Sequence, residues 1–420
     1  MVVVGKILKW LALAAVAWIV WILISYTVMN TIVTMMFEWE MKYEGAKMQK
    51  NEWVEFDLDR VDGETPASLF GGLQLGQSIL KYRLELMYPY DGKVGFVGGS
   101  DRVKQENIWS DKNPPFGSEG KRIPYEWVMK NEQAYLFRTI NDGKSFTRQA
   151  LGHGIINDLK KNGESYFINI HEADTYKDHT LRSDDYGKSW KKLGDFRIEA
   201  MFDKERFIYV VTKSISRAER KHSYFYTKDG GKTAKLLDKK LLTYKKKSLS
   251  NSYIIYKGNL VFLIERSLIF VNIDTLDEKI KSLKIPENLL LKRLEKDNEE
   301  EELYIVVENS NAKSVDNFKQ ESIWYPLSNE LVVFDKLPEY ILFMNVRGNY
   351  IGGLLRYRGL LAHIWTMDKG REWKFEVLPH YFWESSFTGY GHGRIYMDAF
   401  VQSKKGVKKG SYLIIGKIKR

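Results

Sequence analysis

The chain contains no cysteine, which excludes disulfide bonds, thiol nucleophiles and a lipoprotein anchor. An exported protein without cysteine is easier to place in a bacterial envelope than in a eukaryotic secretory pathway, where disulfides are common. If the chain is exported, this absence therefore favours a bacterial envelope.

Residue patterns that mark catalytic or metal sites are also scarce. The seven histidines are scattered, and His171-Glu-Ala-Asp174 with His179 fits no zinc spacing of the H-E-x-x-H type. No serine lies in a nucleophile elbow, and the glycine-rich turns at 152–154 and 389–393 do not open a helix as phosphate loops do. The 54 acidic residues offer no carboxylate pair that the sequence can single out. We expect no metal and no cofactor.

Charge is missing from one long segment near the start. No charged residue occurs from Trp10 to Phe37, whereas a membrane-spanning helix needs about 20 apolar residues. A cleaved signal peptide has a shorter apolar region of about 7–15 residues. The segment 10–37 therefore predicts an uncleaved transmembrane signal anchor; the alternative is a buried core helix.

The charges that flank this segment predict its orientation. Lys6 and Lys9 precede it, and Glu38, Glu40 and Glu44 follow it, so the positive-inside rule places residues 1–9 in the cytoplasm. We expect a single-pass protein of the bacterial inner membrane, with residues 38–420 in the periplasm.

One eight-residue pattern, S/T-x-D/N-x-G-x-S/T-W/F, recurs along the chain. Three copies begin at residues 139, 183 and 227, so they are 44 residues apart, and another begins at 366. A period of about 40–50 residues is typical of a four-stranded propeller blade. The copies are Thr139-Ile-Asn141-Asp-Gly143-Lys-Ser145-Phe146, Ser183-Asp-Asp185-Tyr-Gly187-Lys-Ser189-Trp190, Thr227-Lys-Asp229-Gly-Gly231-Lys-Thr233-Ala234 and Thr366-Met-Asp368-Lys-Gly370-Arg-Glu372-Trp373.

Each position of the pattern has a physical reason in a strand-to-strand turn. The Asp or Asn accepts hydrogen bonds from nearby backbone N–H groups, and the Gly takes a positive φ. The hydroxyl residues complete the turn, and the final aromatic packs between strands. The pattern resembles the Asp-box, or BNR, repeat of sialidases, other glycoside hydrolases, sortilin-type receptors and photosystem assembly factors. The resemblance implies a β-propeller in which the boxes are structural and lie away from the ligand-binding face.

The predicted fold is therefore all-β, a propeller of seven blades preceded by one transmembrane helix. Residues 66–150 are nearly twice the length of a blade, so they hold one blade with an insertion or two blades, which leaves eight blades as the alternative. The last repeat lacks an outer strand. We expect 53–57 to supply it by pairing with 411–418, which would close the ring and remove an open edge.

One triplet points to a glycosidase. Arg122-Ile-Pro124 resembles the RIP motif, whose arginine grips the substrate carboxylate in sialidases. It lies only 17 residues before Thr139, closer than in that family, and the other sialidase residues have no recognisable motif. Arg122 is therefore a weak catalytic candidate, and a turn or surface role is the alternative.

The net charge of +11 comes from scattered lysines and small lysine clusters. These are either solvated loops or contacts with anionic lipid headgroups or an acidic partner; on the exported side we expect no nucleic acid. The sequence predicts a membrane-tethered, non-enzymatic protein-binding propeller, either an immunity factor that neutralises a toxin or effector, or an assembly factor for a membrane complex. A sialidase-like or other Asp-box glycoside hydrolase is the alternative.

Overall fold

The computed structural model describes most of the region from residue 82 onwards and parts of the N-terminal region. The described residues are 16–22, 24–25, 28–38, 47–48, 52–56, 82–101, 133–143, 145–172, 175, 177–214, 220–249, 252–296, 302–309, 321–328, 330–332, 341–347, 350–357, 360–378, 382–391, 393–401 and 410–417.

Within these residues the strands form seven sheets. Two short strands come first in sequence, β1 (Lys47–Met48) and β2 (Glu52–Phe56). The first sheet consists of β3 (Tyr82–Tyr88), β4 (Gly95–Asp101), β5 (Gln133–Thr139) and β6 (Thr147–His153). The second consists of β7 (Ile155–Asn162), β8 (Ser165–Glu172), β9 (Lys177–Ser183) and β10 (Lys191–Gly194). The third consists of β11 (Arg197–Met201), β12 (Phe207–Ser214), β13 (Arg220–Thr227) and β14 (Lys235–Leu236).

The other four sheets follow in the same manner. The fourth consists of β15 (Ile254–Tyr256), β16 (Asn259–Ile264), β17 (Ser267–Asn272) and β18 (Glu278–Ser282). The fifth consists of β19 (Leu289–Lys296), β20 (Leu303–Asn309), β21 (Glu321–Tyr325) and β22 (Glu330–Val332). The sixth consists of β23 (Ile341–Arg347), β24 (Tyr350–Tyr357), β25 (Leu360–Thr366) and β26 (Lys374–Val377). The seventh contains β27 (Phe382–Gly391), β28 (Arg394–Val401) and β29 (Gly410–Lys417).

Successive strands pair antiparallel within each sheet, and the N-terminal strands complete the last two sheets. β2 pairs antiparallel with β29, with Glu52 opposite Lys417 and Phe56 opposite Leu413. The pairing that the sequence predicts between 53–57 and 411–418 is thus present. β1 pairs parallel with β26 and adds a fifth strand to the sixth sheet, which the sequence did not predict. The described residues between 82 and 153, which are 82–101, 133–143 and 145–153, form a single sheet, and this agrees with the insertion alternative for 66–150.

Burial along the strands follows their position in the sheet. The second strand β8 is buried at six consecutive positions, because other protein layers cover both of its faces. The fourth strand β18 has the sequence Glu-Lys-Ile-Lys-Ser and is mostly exposed. Charged residues on such an edge oppose edge-to-edge association of chains.

Consecutive sheets contact each other through buried apolar clusters. Phe96 of the first sheet packs against Tyr166 of the second at 5.2 Å between ring centroids, and similar clusters join each later sheet to the next as far as the sixth. β27 of the seventh sheet contacts both β23 and β3. The Tyr90 backbone N–H donates to the Tyr396 hydroxyl at 3.3 Å, so the seventh sheet also meets the first.

A polar link supplements the apolar contact between the second and third sheets. The buried Asn169 side chain donates to the Ile198 carbonyl at 2.8 Å and accepts from the Ile198 N–H at 3.0 Å. Thr180 donates to the Phe196 carbonyl at 2.7 Å. These bonds satisfy backbone groups in and just before β11, the first strand of its sheet, which has no strand neighbour on that side.

Two helical regions occur among the described residues. The helix α1 (Lys239–Lys247) connects the third and fourth sheets, and Asp238 caps its N terminus through the Lys240 N–H. Residues 16–22, 24–25 and 28–38 are helical and lie in or next to the predicted anchor 10–37, which partly falls outside the described residues. Among the helices that the structure describes, none is long and apolar enough to cross a membrane.

The end of the N-terminal helical region packs into the sheets. Phe37 is fully buried in the cluster between the fifth and sixth sheets and meets Phe375 edge-to-face at 5.6 Å between ring centroids. Val33, one helical turn earlier, packs against the same cluster. Residues before it, such as Trp18 and Trp21, are about two-thirds exposed, at 64% and 65%. The sequence boundary at 37/38 therefore falls where the chain already belongs to the folded core.

Candidate functional site

The four boxes form turns with the same internal hydrogen bonds. In the second box the Ser183 hydroxyl donates to Asp185 at 2.7 Å and accepts from the Gly187 N–H at 2.8 Å. Asp185 also accepts from the Ser189 N–H at 2.9 Å and the Ser189 hydroxyl at 2.6 Å. The equivalent bonds occur in the boxes headed by Thr227 and Thr366, although the Glu372 side chain has no hydroxyl to donate. The box headed by Thr139 differs in one bond, because there the Asn141 side-chain amide donates to the Ser145 hydroxyl at 2.8 Å.

The backbone of each box contains two consecutive residues with positive φ. The glycines Gly143, Gly187, Gly231 and Gly370 have φ between 74° and 92°. The residues before them, Asp142, Tyr186, Gly230 and Lys369, have φ between 56° and 71°. A side chain is tolerated at the first position, but a Cβ at Gly187 would approach Phe96 to 2.5 Å, so the second position requires glycine.

The final aromatic residue of the box packs between neighbouring sheets. Trp190 meets Phe96 of the first sheet at 6.3 Å between centroids. Phe146 and Trp373 are buried, whereas Ala234 of the third box is exposed. Residues inside the turns also reach adjacent sheets. The ion pairs that do so are Asp142 with Arg394, Lys228 with Asp274 and Lys369 with Glu302.

The box carboxylates are held in their ionised form by these bonds. Hydrogen bonds from Ser189 keep the pKa of Asp185 far below its ordinary value. Those from Thr233 lower the pKa of Asp229 to about 2. These oxygens therefore accept bonds from within their own turns, and those bonds stabilise the connection between the two strands.

The fourth sheet has a turn at 272–275, Asn-Ile-Asp-Thr, that resembles a box but lacks its glycine. Asn272 accepts hydrogen bonds from the N–H groups of Asp274 and Thr275 at 2.9 and 3.1 Å. The positive φ that a glycine would supply is taken by Leu276, at 63°. The turn thus keeps the acceptor side chain although the glycine is lost.

Strand direction divides the connections between two faces. Each box joins the third and fourth strands of its sheet, and Ser183 of the second box lies opposite Tyr166. The other end of the same strand pair, where Glu172 lies opposite Lys177, is therefore at the far side of the sheet. We call the two sides the box face and the opposite face. α1 links the end of β14 to the start of β15, and its residue Lys240 bonds to Glu278 at the box-face end of β18 at 2.7 Å.

The opposite face carries a hydrogen-bonded polar cluster that spans the second and third sheets. Asp178 contacts the His171 Nδ1 at 2.8 Å and accepts from the Thr212 hydroxyl at 3.3 Å. Thr212 also contacts the His222 Nδ1 at 3.0 Å. Burial raises the pKa of Asp178, but His171, the nearby charge of Arg197 and Thr212 outweigh it and hold that pKa below its usual value.

A second histidine lies beside this cluster. His179 Nδ1 is 3.3 Å from the Glu172 carboxylate, and burial lowers the pKa of His179 although Glu172 opposes the shift. The repeat offers a sequence signal for this cluster. Asp178 and His222 each lie five residues before the start of their box. The first and fourth copies have the apolar residues Ala134 and Leu361 at that position.

The innermost strands are bulged. Six of them, β3, β7, β11, β19, β23 and β27, shift register against the second strand of their sheet. A bulge re-aims side chains and is frequent beside binding sites. Two of these strands carry an Arg-x-Glu pair with described side chains, at Arg197/Glu199 and Arg293/Glu295. Glu199 forms an ion pair with Lys245 of α1, and Glu295 forms one with Arg293.

The residues that a sialidase needs are not assembled among these groups. Arg122 lies outside the described residues. Tyr304 donates a hydrogen bond to Glu295, and Tyr304 itself is 4% exposed within the cluster between the fifth and sixth sheets. In the part of the chain that the structure describes, no three potential metal ligands converge.

No family model and no curated protein matches the chain. Several solved structures are similar in fold. An acylaminoacyl peptidase in complex with Z-Gly-Gly-Phe-chloromethyl ketone is 11% identical, with a TM-score of 0.50 over 81% of this chain and 52% of that chain. The acylaminoacyl peptidase of Pyrococcus horikoshii is 11% identical, with a TM-score of 0.49 over 80% and 52% of the two chains. The β-propeller domain of the Trilobed protease from Pyrococcus furiosus is 9% identical, with a TM-score of 0.46 over 79% and 95%.

The chain spans about half the length of the two acylaminoacyl peptidases that it resembles. At these identities the likeness concerns the fold alone. Seven successive sheets of mainly antiparallel strands among the described residues give the chain a β-propeller-like, mostly-β fold.

Proposed function

We propose that the chain is a membrane-tethered, non-enzymatic β-propeller that binds a protein partner with its opposite face. The observation that carries the proposal is that the polar side chains of the two faces differ in how they are bonded. The box side chains are bonded within their own turns and to neighbouring sheets. The opposite face carries exposed polar and cationic groups and the bulged inner strands lead to it.

The proposed architecture is a ring of seven blades, four of which carry an Asp-box. Support comes from the order of contacts, in which each sheet meets its successor and the seventh sheet meets the first through Tyr396 and Arg394. The pairing of β2 with β29 joins the two ends of the chain in one blade. Such a ring is rigid, and loops on a rigid scaffold are suited to recognition.

The proposed tether is the apolar segment 10–37, which would hold the domain at the periplasmic side of a bacterial inner membrane. Phe37 supports a rigid attachment of this segment to the domain, because its ring is buried beside Phe375, the second residue of β26. β26 follows directly on the fourth box, so the segment joins the domain toward the box face of the sixth sheet. The opposite face then stays free for a partner.

Two roles fit a tethered binder: neutralisation of a toxin or effector as an immunity factor, or assembly of a membrane complex. A tether places a neutralising protein where an incoming effector acts, which favours the first role. No cofactor, metal or nucleic acid enters this proposal.

The test is affinity purification of the full chain from solubilised bacterial membranes, combined with topology reporters. A reporter that is active only outside the cytoplasm, fused after Arg420, should be active. A partner should co-purify in stoichiometric amount and bury an interface on the order of 1,600 Å². Recovery of the chain without any partner, or hydrolysis of a fluorogenic sialoside that is lost in Arg122→Ala, would overturn the binding function.

A further inference from the structure

The helical residues near the N terminus change in exposure along the chain. All residues from 16 to 22 are exposed, and the large apolar side chains among them are 41–65% exposed. These side chains are Val16, Trp18, Ile19, Val20, Trp21 and Ile22. A helix that is apolar all round is typical of a membrane span or of the core of a large protein. Since the side chains at 16–22 are exposed, they are not part of the core of this domain.

Residues 28–38 have two different sides. Four residues at intervals of three and four lie on one side of the helix and are partly or fully buried, namely Asn30, Val33, Thr34 and Phe37. The other side carries five apolar residues that are 41–58% exposed. We call them the outer stripe: Val28, Met29, Ile32, Met35 and Met36. The helix thus packs on the domain with one side and presents an apolar surface on the other.

The buried side of this helix packs at the box-face end of the sheets. The cluster around Phe37 contains Trp373, the last residue of the fourth box. It also contains Ile351, which lies opposite Thr366, the first residue of that box. After the helix, β1 is again at this end, because Lys47 lies opposite Lys374, the residue that follows the box. The outer stripe therefore lies beside the box face of the fifth and sixth sheets.

The predicted anchor is longer than a bilayer core requires. As a straight helix, the segment 10–37 would be about 42 Å long, whereas the hydrocarbon core is about 30 Å thick. An excess of about eight residues is accommodated by tilting or by one end that leaves the core. The burial of Val33 and Phe37 in the domain favours the second arrangement, with the last turns of the helix at the membrane surface.

We propose that the outer stripe is a lipid-contact surface, which holds the box-face end of the fifth and sixth sheets at the boundary between acyl chains and headgroups. The inference rests on the proposed tether and goes beyond it, because a tether alone does not bring the domain into contact with lipid. Contiguous exposed apolar residues mark membrane or protein contacts. Lipid is the occupant because the stripe continues the uncharged run that begins at Trp10. A helix with one apolar side is suited to this boundary.

The experiment uses the lack of cysteine, which allows a single nitroxide label on each introduced cysteine. The full chain is reconstituted into vesicles of equal parts phosphatidylcholine and phosphatidylglycerol. Met29→Cys and Met35→Cys carry the label on the outer stripe. Ile19→Cys carries it on the segment that is exposed all round, and Thr175→Cys carries it at an exposed position of the opposite face. Electron paramagnetic resonance measures collisions of each label with molecular oxygen, which concentrates in lipid, and with a water-soluble nickel chelate.

The ratio of oxygen to nickel collisions at positions 29 and 35 should be close to the ratio at 19 and well above the ratio at 175. A ratio like that at 175 would place the stripe in water and overturn the proposal. Few collisions with either reagent would show that protein covers the stripe, either a second copy or a partner helix, and would also overturn lipid contact. Met29 and Met35 are each 58% exposed, so the labelled chains should melt within about 1 °C of the unlabelled chain.

The outcome is separable from that of the proposed function. Extraction of the chain from the vesicles by alkaline carbonate, together with a water-like ratio at position 19, would refute the tether and this surface with it. A lipid-like ratio at 19 combined with water-like ratios at 29 and 35 would leave the tether intact and refute the lipid-contact surface.

Discussion

Truncation of Phe37 tests whether the predicted anchor is part of the folded domain. The side chain has no exposed surface and lies in the cluster between the fifth and sixth sheets, edge-on to Phe375. Phe→Ala changes at buried sites cost about 3–5 kcal/mol. The edge-to-face ring contact is about 0.5–1.5 kcal/mol of that loss.

The expected change is large against the total stability of a domain, about 5–15 kcal/mol. The shift in melting temperature per kcal/mol becomes smaller as a domain becomes longer. For a domain of this length, Phe37→Ala should lower the melting temperature by on the order of 5 °C. The measurement is thermal unfolding of the full chain in detergent micelles, followed by near-ultraviolet circular dichroism of the aromatic clusters.

Met35→Ala is the matched control. Met35 lies two residues earlier on the same helical segment and is 58% exposed, so its loss should shift the melting temperature by less than about 1 °C. If Phe37→Ala melts like the control, the segment does not pack on the sheets, and the proposed rigid attachment is wrong. If both variants lose stability equally, the effect belongs to the helix and not to the cluster.

Three other predictions concern the sheets. Asp185→Ala removes the acceptor of bonds from Ser189 and should destabilise by about 1–3 kcal/mol, with any loss of partner binding following the loss of folded protein; lost binding at full stability would assign the box a direct role. Deletion of residues 412–420 removes most of β29, which pairs with both β28 and β2, so the whole domain should unfold at a lower temperature, and a truncation as stable as the parent would disprove closure through this strand. His363 is buried and burial lowers its pKa to about 3 from 6.5; the unfolded chain therefore binds a proton that the folded chain does not between these values, and stability should fall as the pH drops below 6.5. His363→Phe should flatten that fall in unfolding experiments from pH 7 to 4, and an unchanged slope would count against the burial of a neutral imidazole.

The repeat and its turn chemistry were readable from the sequence because they are local. Asp185, Gly187 and the hydroxyl residues on either side act within eight consecutive residues, so a pattern is enough to predict a hairpin turn. The period of 44 residues then predicts successive four-stranded units, and the sheets at 155–194 and 197–236 each contain four strands with one box.

Other features depend on contacts between distant residues and could not be derived in this way. Residues Lys239–Lys247 form a helix because Leu241 is buried in the cluster between the third and fourth sheets and Asp238 caps the first turn. The fifth strand β1 has two residues, too few for any pattern. The polar cluster around Asp178 joins residues of two sheets. Asp178 accepts a hydrogen bond from Thr212, which lies 34 positions later in the sequence.

The sequence therefore establishes the type of repeat, its length and the residues that hold each turn, since all of these arise from short-range bonding. Other features arise only when separate strands pair and sheets pack. They are the division of the molecule into two faces, the burial of Phe37 and the position of Lys213 opposite Lys221. Register decides which side chains meet, and a one-residue shift would exchange every contact across a strand pair. Such register is set by the packing of the whole sheet and not by the residues of one strand.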